Sequence, residues 1–310
     1  MDAARDRRRR IAPAPFLLVN PRSGDESPSP KELADAARAL GIEVRALDEG
    51  DDVEQLAREA AERGAEALGM AGGDGSLGAV ASAAAEAGVP FVVIPFGTRN
   101  HFARDAGLDV DDPLGALAAF TEREEVVADI GSVCGRTFLN NVSLGVYAQL
   151  VHDPDHKTKN RLVAAARMIP AALGRSRRAL DLAFDVDGER SHHRTLVLLV
   201  ANGRYELAPG GFGQRERLDE GCLHAYVVEA GTRRTLLALF ARAAAGRIEL
   251  AEDWAEYAAP EFMVESKRSR LHAAIDGEPV LLEPPLDFEV RPRALRLLVP
   301  PGSRDRAGPG

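Results

Sequence analysis

Over about the first 130 residues, short apolar or alternating runs take turns with longer stretches whose apolar positions recur every three or four residues. The short runs are typical of strands, and they predict strands at residues 16–19, 42–47, 67–71 and 90–94. The longer stretches are typical of helices with one packed face, and they predict helices at residues 31–40, 53–63, 77–87, 100–105 and 113–121. We expect Ser76 to cap the third of these helices. Strands that alternate with helices predict an α/β domain with a parallel, Rossmann-like sheet.

After about residue 126 the strand signals follow one another with few helices between them. Two hairpins are predicted, one from residues 130–133 and 137–142 and one from residues 180–186 and 194–201. Further strands are predicted at residues 223–229, 261–265, 270–275, 280–282, 286–291 and 294–299, with a helix at residues 233–245. This pattern predicts a second domain, a mostly antiparallel β-sandwich with inserted helices. We therefore expect an α/β domain at residues 1–128, a β-rich domain at residues 129–293 and a tail at residues 303–310.

Three glycine-bearing turns come directly after three of the predicted strands. They are Asn20-Pro21-Arg22-Ser23-Gly24, Gly72-Gly73-Asp74-Gly75-Ser76 and Pro95-Phe96-Gly97-Thr98-Arg99-Asn100. Glycine lets backbone N–H groups approach an anion closely, and a helix that starts behind the turn adds a favourable dipole. Because the carboxyl ends of parallel strands meet at one crevice, the three turns together predict a nucleotide phosphate site. The second turn is not a Walker motif, since no Lys-Ser/Thr pair follows it at the required spacing.

Composition and charge narrow the class of protein. The 310 residues carry a formal net charge of −9, which argues against a general nucleic-acid binder. The cysteines are Cys134 and Cys222, too few for a disulfide framework or a cysteine metal site, and this fits a reducing cytoplasm. No apolar run approaches the roughly 18 residues that span a bilayer. We expect a cytoplasmic protein that is soluble or peripheral to the inner membrane face.

One stretch departs from the acidic balance of the chain. Lys157–Arg178 contains no acidic residue, and its basic members are Lys157, Lys159, Arg161, Arg167, Arg175, Arg177 and Arg178. Apolar side chains lie between them, so the stretch fits a basic amphipathic helix on an anionic membrane surface. A solvated helix face is an equally good interpretation, and both stay open.

The three turns match, in order, the motifs N-P-x-S-G, G-G-D-G-T/S and P-x-G-T-x-N, so the chain resembles the diacylglycerol kinase catalytic-domain superfamily. That superfamily includes bacterial lipid kinases and the sphingosine and ceramide kinases. The resemblance continues at Asp129-Ile130-Gly131, Asn140–Gly145, Ala201-Asn202-Gly203, Leu218–Leu223 and Asp276-Gly277-Glu278. It covers nearly all of residues 16–300.

The resemblance implies a kinase of lipid metabolism and phospholipid biosynthesis that transfers the γ-phosphate of ATP, with Mg²⁺, to a lipid hydroxyl. It implies that the first domain binds ATP, that the second holds the lipid, and that residues 294–302 return to the first domain. The residues implied in ATP binding are Asn20, Pro21, Arg22, Ser23, Gly24, Asp48, Gly72, Gly73, Asp74, Gly75, Ser76, Thr98 and Asn100.

The resemblance also implies that Asp276 and Glu278 are the catalytic residues. Phosphorylation of an alcohol needs a carboxylate near the hydroxyl to accept its proton. On residue type alone, Asp-Gly-Glu would be an ordinary surface hairpin turn, so its role depends on its place in the ordered motifs. The sequence does not rank the two carboxylates.

Metal binding is expected at Asp74, for the Mg²⁺ of ATP, and at Glu220 in a segment that holds a structural Mg²⁺ in some bacterial members. That segment reads Asp219-Glu220-Gly221 here, and Arg217 replaces an acidic ligand, which disfavours a cation. Two further positions differ from the common pattern, namely His101 for Asp and Asp48 for Thr.

Two other functions remain open at this point. NAD kinases share the G-G-D-G turn and a related two-domain plan, although the first and third turns favour the lipid kinases. A non-catalytic relative that binds lipid or nucleotide is the second alternative. The identity of the acceptor lipid and the oligomeric state, including a homodimer, are also open.

Overall fold

The computed structural model describes residues 14–24, 27–145, 180–186, 189–208, 211–215, 217–229 and 254–303. The predicted membrane-contact stretch Lys157–Arg178 and the predicted helix at residues 233–245 lie outside these residues. In the described part of the chain, no helix has both the length and the apolar character needed to cross a membrane.

The first part of the chain forms a parallel sheet. Its strands are β1 (Phe16–Val19), β2 (Glu43–Ala46), β3 (Leu68–Gly72) and β4 (Phe91–Pro95), in the spatial order β2-β1-β3-β4. The residues of β1, β3 and β4 are buried, because hydrophobic clusters cover both faces of the sheet. The predicted parallel sheet is confirmed, and its carboxyl ends carry the three glycine-bearing turns.

The helices of this part lie between the strands, as the apolar periodicity predicts. They are α1 (Pro30–Ala39), α2 (Val53–Glu62), α3 (Asp74–Ala87), α4 (His101–Asp105) and a 3₁₀ helix (Gly115–Phe120). The prediction that Ser76 caps α3 is wrong, because α3 already begins at Asp74 and has Gly73 at its N-cap position. Ser76 instead lies in the first turn of α3, and Gly73 provides no side-chain cap.

The β-rich part contains the remaining strands of the described residues. They are β5 (Glu124–Val133), β6 (Arg136–Phe138), β7 (Asn141–Gly145), β8 (Leu180–Val186), β9 (Glu189–Asn202), β10 (Tyr205–Ala208), β11 (Gly211–Arg215), β12 (Leu223–Glu229), β13 (Trp254–Ala259), β14 (Glu261–Ser266), β15 (Leu271–Ile275), β16 (Glu278–Leu282) and β17 (Leu286–Val299). Hairpins form at both predicted places, as β5–β6 and β8–β9. The predicted strand at residues 137–142 is divided, however, between β6 and β7, and β7 pairs with β9 and β15. The sequence did not predict β10, β11 or β13.

Strand β17 links the two parts of the molecule. Near its start it pairs antiparallel with β14, and near its end Leu297 and Leu298 pair parallel with Phe91 and Val92 of β4. The pattern predicted two strands here, but the structure has one strand with a register irregularity before Leu295. Arg293 in that irregularity has a φ of 52°. Strand β17 therefore joins the parallel strands and the antiparallel strands into one continuous sheet.

Candidate functional site

The three glycine-bearing turns converge at the carboxyl edge of the parallel sheet. A Cβ added at Gly24 would lie 2.7 Å from Cε1 of Phe96, so the first turn lies against the third. A Cβ added at Gly97 would lie 2.5 Å from Cα of Gly73, so the third turn also lies against the second. Since the atom met at Gly97 belongs to the backbone, this close approach requires glycine. The three turns therefore lie side by side at one edge of the sheet.

Asn100 holds the third turn in its shape. Its Oδ1 accepts a hydrogen bond of 2.8 Å from the Gly97 N–H, and its Nδ2 donates one of 2.8 Å to the Gly97 carbonyl oxygen. The side chain is buried, and the residue has a φ of 49°, in the left-handed region that asparagine tolerates. Thr98 and Arg99, between these two residues, are exposed.

Asn20 organises the first turn in a similar way. Its Oδ1 accepts a hydrogen bond from the Arg22 N–H at 3.1 Å, and its carbonyl oxygen accepts one from Ser23 at 3.1 Å. Pro21, Arg22 and Gly24 are exposed. The side chain of Asn20 also faces the second turn, because a Cβ added at Gly72 would lie 3.6 Å from Cβ of Asn20.

The remaining residues predicted to bind ATP lie at the same edge of the sheet but differ in exposure. Ser76 is partly buried in the first turn of α3. Asp48 follows the end of β2, next to β1, and is exposed, with Oδ2 3.7 Å from Nη2 of Arg45. Their roles in nucleotide binding stay predictions.

Asp74 connects the second turn to α4 and to the β-rich part. Its Oδ2 accepts a hydrogen bond from the His101 N–H at 3.2 Å, and its Oδ1 accepts one from the Phe102 N–H at 3.2 Å. The carboxylate thus caps α4. The N-cap residue of this helix, Asn100, makes no capping hydrogen bond through its side chain. Oδ1 also accepts a hydrogen bond of 3.2 Å from Nδ2 of Asn140.

Asp276 lies in the tight turn between β15 and β16, where its φ is 47°. Three backbone N–H groups bind its carboxylate: Leu139 donates to Oδ2 at 2.8 Å, and Asn140 and Asn141 donate to Oδ1 at 2.8 and 3.0 Å. Burial raises the pKa of the Asp276 carboxyl to about 7, against the lowering effect of the three donors, and the charge of Asp74 adds to the rise. The group can therefore exchange a proton near neutral pH.

The turn that carries Asp276 packs against the start of α3. A Cβ added at Gly78 would lie 3.8 Å from Oδ2 of Asp276, and one added at Gly75 would lie 2.8 Å from Oε1 of Glu278. Both carboxylates therefore approach the amino-terminal end of α3, where the helix dipole favours negative charge. Glu278 itself is exposed. The predicted catalytic pair thus lies against the start of α3, next to the second predicted phosphate turn.

Sequence reasoning assigned no role to residues 139–141, which provide all three donors to Asp276. Asn140 lies inside one of the motifs on which the family resemblance rests, and this position was the only sign in the sequence that these residues have a role. The reason for the motif becomes visible only in three dimensions, because its backbone N–H groups and the Asn140 side chain act on residues far away along the chain.

The segment around Glu220 does not fit a bound cation. Asp219 accepts hydrogen bonds from the guanidinium groups of Arg217, at 3.0 Å, and Arg293, at 3.2 Å. The two carboxylate oxygens of Glu220 lie 2.8 Å from the Arg204 N–H and 3.1 Å from Nε2 of His224. Among the described residues, no group of three or more histidine, cysteine, aspartate or glutamate side chains could hold a metal ion.

Comparison with known proteins agrees with this architecture. The family model "Diacylglycerol kinase catalytic domain" matches residues 15–133, and the model "YegS C-terminal NAD kinase beta sandwich-like domain" matches residues 141–299. The resemblance inferred from the motifs and the predicted two-domain fold class are both confirmed.

Curated relatives match over most of their length. The chain is 34% identical over 287 residues to "Probable lipid kinase YegS-like" of Pseudomonas fluorescens, which covers 88% of this chain and 91% of the relative. It is 30% identical over 305 residues to the protein of the same name from Pseudomonas aeruginosa, with 93% and 94% covered. Its fold is similar to a crystal structure described as a diacylglycerol kinase of Bacillus anthracis, with a TM-score of 0.67 at 17% identity and 94% and 98% covered.

Proposed function

The chain belongs to the diacylglycerol kinase catalytic-domain family, among the YegS-like lipid kinases, and we propose that it transfers the γ-phosphate of ATP to the hydroxyl group of a lipid. It is thus a phosphotransferase with an alcohol acceptor. The observation that carries the proposal is the convergence of three backbone turns opposite Asp276 and Glu278. A nucleotide phosphate and an attacking hydroxyl would meet beside the contact of Glu278 with Gly75.

The turns suit a triphosphate. Glycines at the points of closest approach leave the backbone accessible, and α3 begins there without a side-chain cap from Gly73. Backbone N–H groups at a helix start bind phosphate oxygens well. Arg22 and Arg99 are exposed within the turns and could add charge-assisted hydrogen bonds to the terminal phosphates.

We assign the role of proton acceptor to Asp276. Its Oδ2 accepts one of the three backbone hydrogen bonds, so a lone pair remains to receive the proton of the lipid hydroxyl. A pKa of about 7 suits this task, because a base works best when its pKa is close to the ambient pH. Glu278, against Gly75, would lie closer to the phosphates and help to orient the attacking group.

Kinases use ATP with Mg²⁺, which neutralises charge on the phosphates. In this site, one carboxylate oxygen of the protein is suitably placed to contact such an ion. Oδ2 of Asp74 accepts one hydrogen bond and keeps a lone pair, and Mg²⁺ takes most of its ligands from phosphate and water. Asp74 would therefore contact the ion directly or through water. Because the Glu220 segment does not fit a cation, we propose no structural metal there.

The acceptor belongs to the class of lipid alcohols, and diacylglycerol, phosphatidylglycerol and sphingoid bases are the first candidates. A contact between Lys157–Arg178 and anionic headgroups at the inner membrane face would bring the site to its substrate. That contact rests on the charge pattern alone.

The direct test measures transfer of radiolabelled phosphate from ATP to mixed micelles that contain dioleoylglycerol, phosphatidylglycerol, sphingosine or ceramide, and separately to NAD. We expect one lipid to be labelled, and the label to disappear in Asp276→Asn. Asp287→Asn, an exposed carboxylate on β17, is the matched control and should keep the activity. Product with NAD alone would refute the lipid assignment, whereas ATP binding without any transfer would indicate a non-catalytic relative.

A further inference from the structure

We propose that Arg215 is a positioning residue: it holds residues 139–141 in the conformation that anchors Asp276 and joins them to helix α4. Its functional meaning rests on the proposed role of Asp276, but the positioning itself can be tested without catalysis.

The guanidinium of Arg215 is fully buried and makes hydrogen bonds in several directions. Nε donates to Oδ2 of Asp105, at the end of α4, at 2.7 Å. Nη1 donates to the carbonyl oxygens of Leu139 at 2.6 Å and Asn202 at 2.7 Å. Nη2 donates to Oδ1 of Asn140 at 3.3 Å. One side chain therefore connects α4, β9 and the loop that binds Asp276.

These contacts close a ring that passes through both domains. Asp74 caps α4 at its start, and Asp105 at the end of α4 holds Arg215. Arg215 holds Oδ1 of Asn140, which directs Nδ2 of the same amide back to Asp74. The orientation of the Asn140 amide is thus set by a cation on one side and a carboxylate on the other. A shift of any member would move the donors of residues 139–141.

Stability alone does not explain a buried ion pair of this kind. The side chains of Arg215 and Asp105 are 0% and 4% exposed, and the cost of removing two charges from water offsets much of their attraction. Apolar residues of similar volume often stabilise such a position equally well. A guanidinium, in contrast, can bind two carbonyl oxygens, an amide and a carboxylate at fixed angles. This directional capacity is what the loop requires.

Several charged or titratable groups face Asp276 from the elements packed around it. Asp74 lies on α3, Glu278 on β16, Arg215 on β11 and Tyr205 on β10. The Tyr205 hydroxyl accepts a hydrogen bond of 3.0 Å from Nδ2 of Asn141, and burial raises the pKa of this hydroxyl, so it stays neutral. Arg215 is the cation among these groups, and its charge is largely balanced by Asp105.

The test compares wild type with Arg215→Lys, which keeps the charge but cannot reach all four partners from a single ammonium group. Amide hydrogen exchange measured by mass spectrometry reports on residues 139–141. The titration of Asp276 is followed by NMR of ¹³C-labelled aspartate, with its signal assigned by its absence in Asp276→Asn. Arg296→Gln, which removes an exposed cation paired with Glu125, is the control.

We expect exchange at residues 139–141 to be about tenfold faster in Arg215→Lys, with strands β1 and β3 unaffected. We also expect the Asp276 titration to move upwards, because weaker N–H donation disfavours the ionised carboxylate. Where lipid phosphorylation is measurable, kcat should fall while the KM for ATP changes little. Arg296→Gln should match wild type in all three measurements.

Unchanged exchange and an unchanged Asp276 titration in folded Arg215→Lys would overturn the proposal. If that variant does not fold, Asp105→Asn provides the decision through hydrogen exchange alone, because it removes the anchor of Arg215 with little change in volume and should also speed exchange at residues 139–141. The titration is not used for this variant, since the unbalanced charge of Arg215 would itself lower the pKa of Asp276. Should no lipid be labelled, the proposed function fails, and should Asp276→Asn keep full kinase activity, the role of Asp276 as proton acceptor fails; in both cases the exchange data still decide the positioning role.

Discussion

Glu278 lies over Gly75, so that a carboxylate of the β-rich part covers the glycine at the second position of helix α3. An added Cβ at Gly75 would lie 2.8 Å from Oε1 of Glu278. The contact brings the acidic turn between β15 and β16 to the helix start that we propose as a phosphate site. The contact holds the two parts of the molecule close together at the position where we propose that the reaction occurs.

Gly75→Ala should therefore reduce phosphoryl transfer without loss of fold stability. The new methyl group displaces Glu278, and displacement of a positioned group by about 1 Å can cost roughly 10²-fold in rate. Helix α3 itself should tolerate alanine, since alanine has the higher helix propensity. Initial rates and the thermal midpoint are measured together.

Gly78→Ala is the stability control for this variant. A Cβ at Gly78 would meet its nearest atom, the Thr137 carbonyl oxygen, at an ordinary 3.6 Å. Its thermal midpoint should equal or exceed that of wild type. A rate for Gly75→Ala equal to that of wild type would contradict the proposed closeness of Glu278 to the phosphates.

Asp276→Asn should lower kcat by about 10²-fold or more, as expected when a general base is lost. In wild type the rate should fall as the pH drops through about 7, because the base is then protonated. The measurement is the pH–rate profile of both proteins. A wild-type profile that stays flat from pH 6 to 8, about one pH unit either side of this pKa, would argue against Asp276 as the base.

Asp276 should also make stability depend on pH. Its pKa is near 3.8 in the unfolded chain and about 7 in the fold, so the native state binds the proton more tightly. The free energy of unfolding then falls as the pH rises from about 4 to about 7, by at most about 1.4 kcal/mol per pH unit for one proton. Denaturant unfolding at several pH values measures this free energy. Relative to Asp276→Asn, the free energy of unfolding of wild type should fall as the pH rises from about 4 to about 7 and should stay constant outside that range.

Asn100→Ala should open the third turn and raise the KM for ATP. The substitution removes both hydrogen bonds to Gly97 and places alanine at a φ of 49°, which should cost about 1–3 kcal/mol of stability. Asn100→Asp keeps the acceptor and loses the donor, so its KM should lie between the two. Equal KM values for all three proteins would show that this turn does not contact the nucleotide.

Chelation of divalent cations should abolish transfer but leave the fold intact. The guanidinium groups of Arg217 and Arg293 bind Asp219, so the segment around Asp219 needs no metal ion. If a metal ion did bind there, the thermal midpoint would rise with the concentration of that ion. Thermal unfolding with EDTA and with Mg²⁺, in the absence of ATP, measures this. A midpoint that rises steadily with Mg²⁺ would reveal a structural cation.

The amino-acid sequence by itself determined the order of the elements in the α/β part, its parallel sheet and the turns behind its strands. These features are local: apolar spacing selects helix or strand, and glycine selects the turn. The local signal at Ser76 was misleading. The first residue of α3 depends on where β3 ends, and α3 already begins at Asp74.

Only the tertiary structure decided which groups act on one another. The donors of residues 139–141, the pairing of Arg215 with Asp105 and the approach of Glu278 to Gly75 join positions that no local pattern connects. The physical reason is that hydrogen bonds and carboxylate pKa values depend on distance and burial in space. Separation along the chain determines neither quantity.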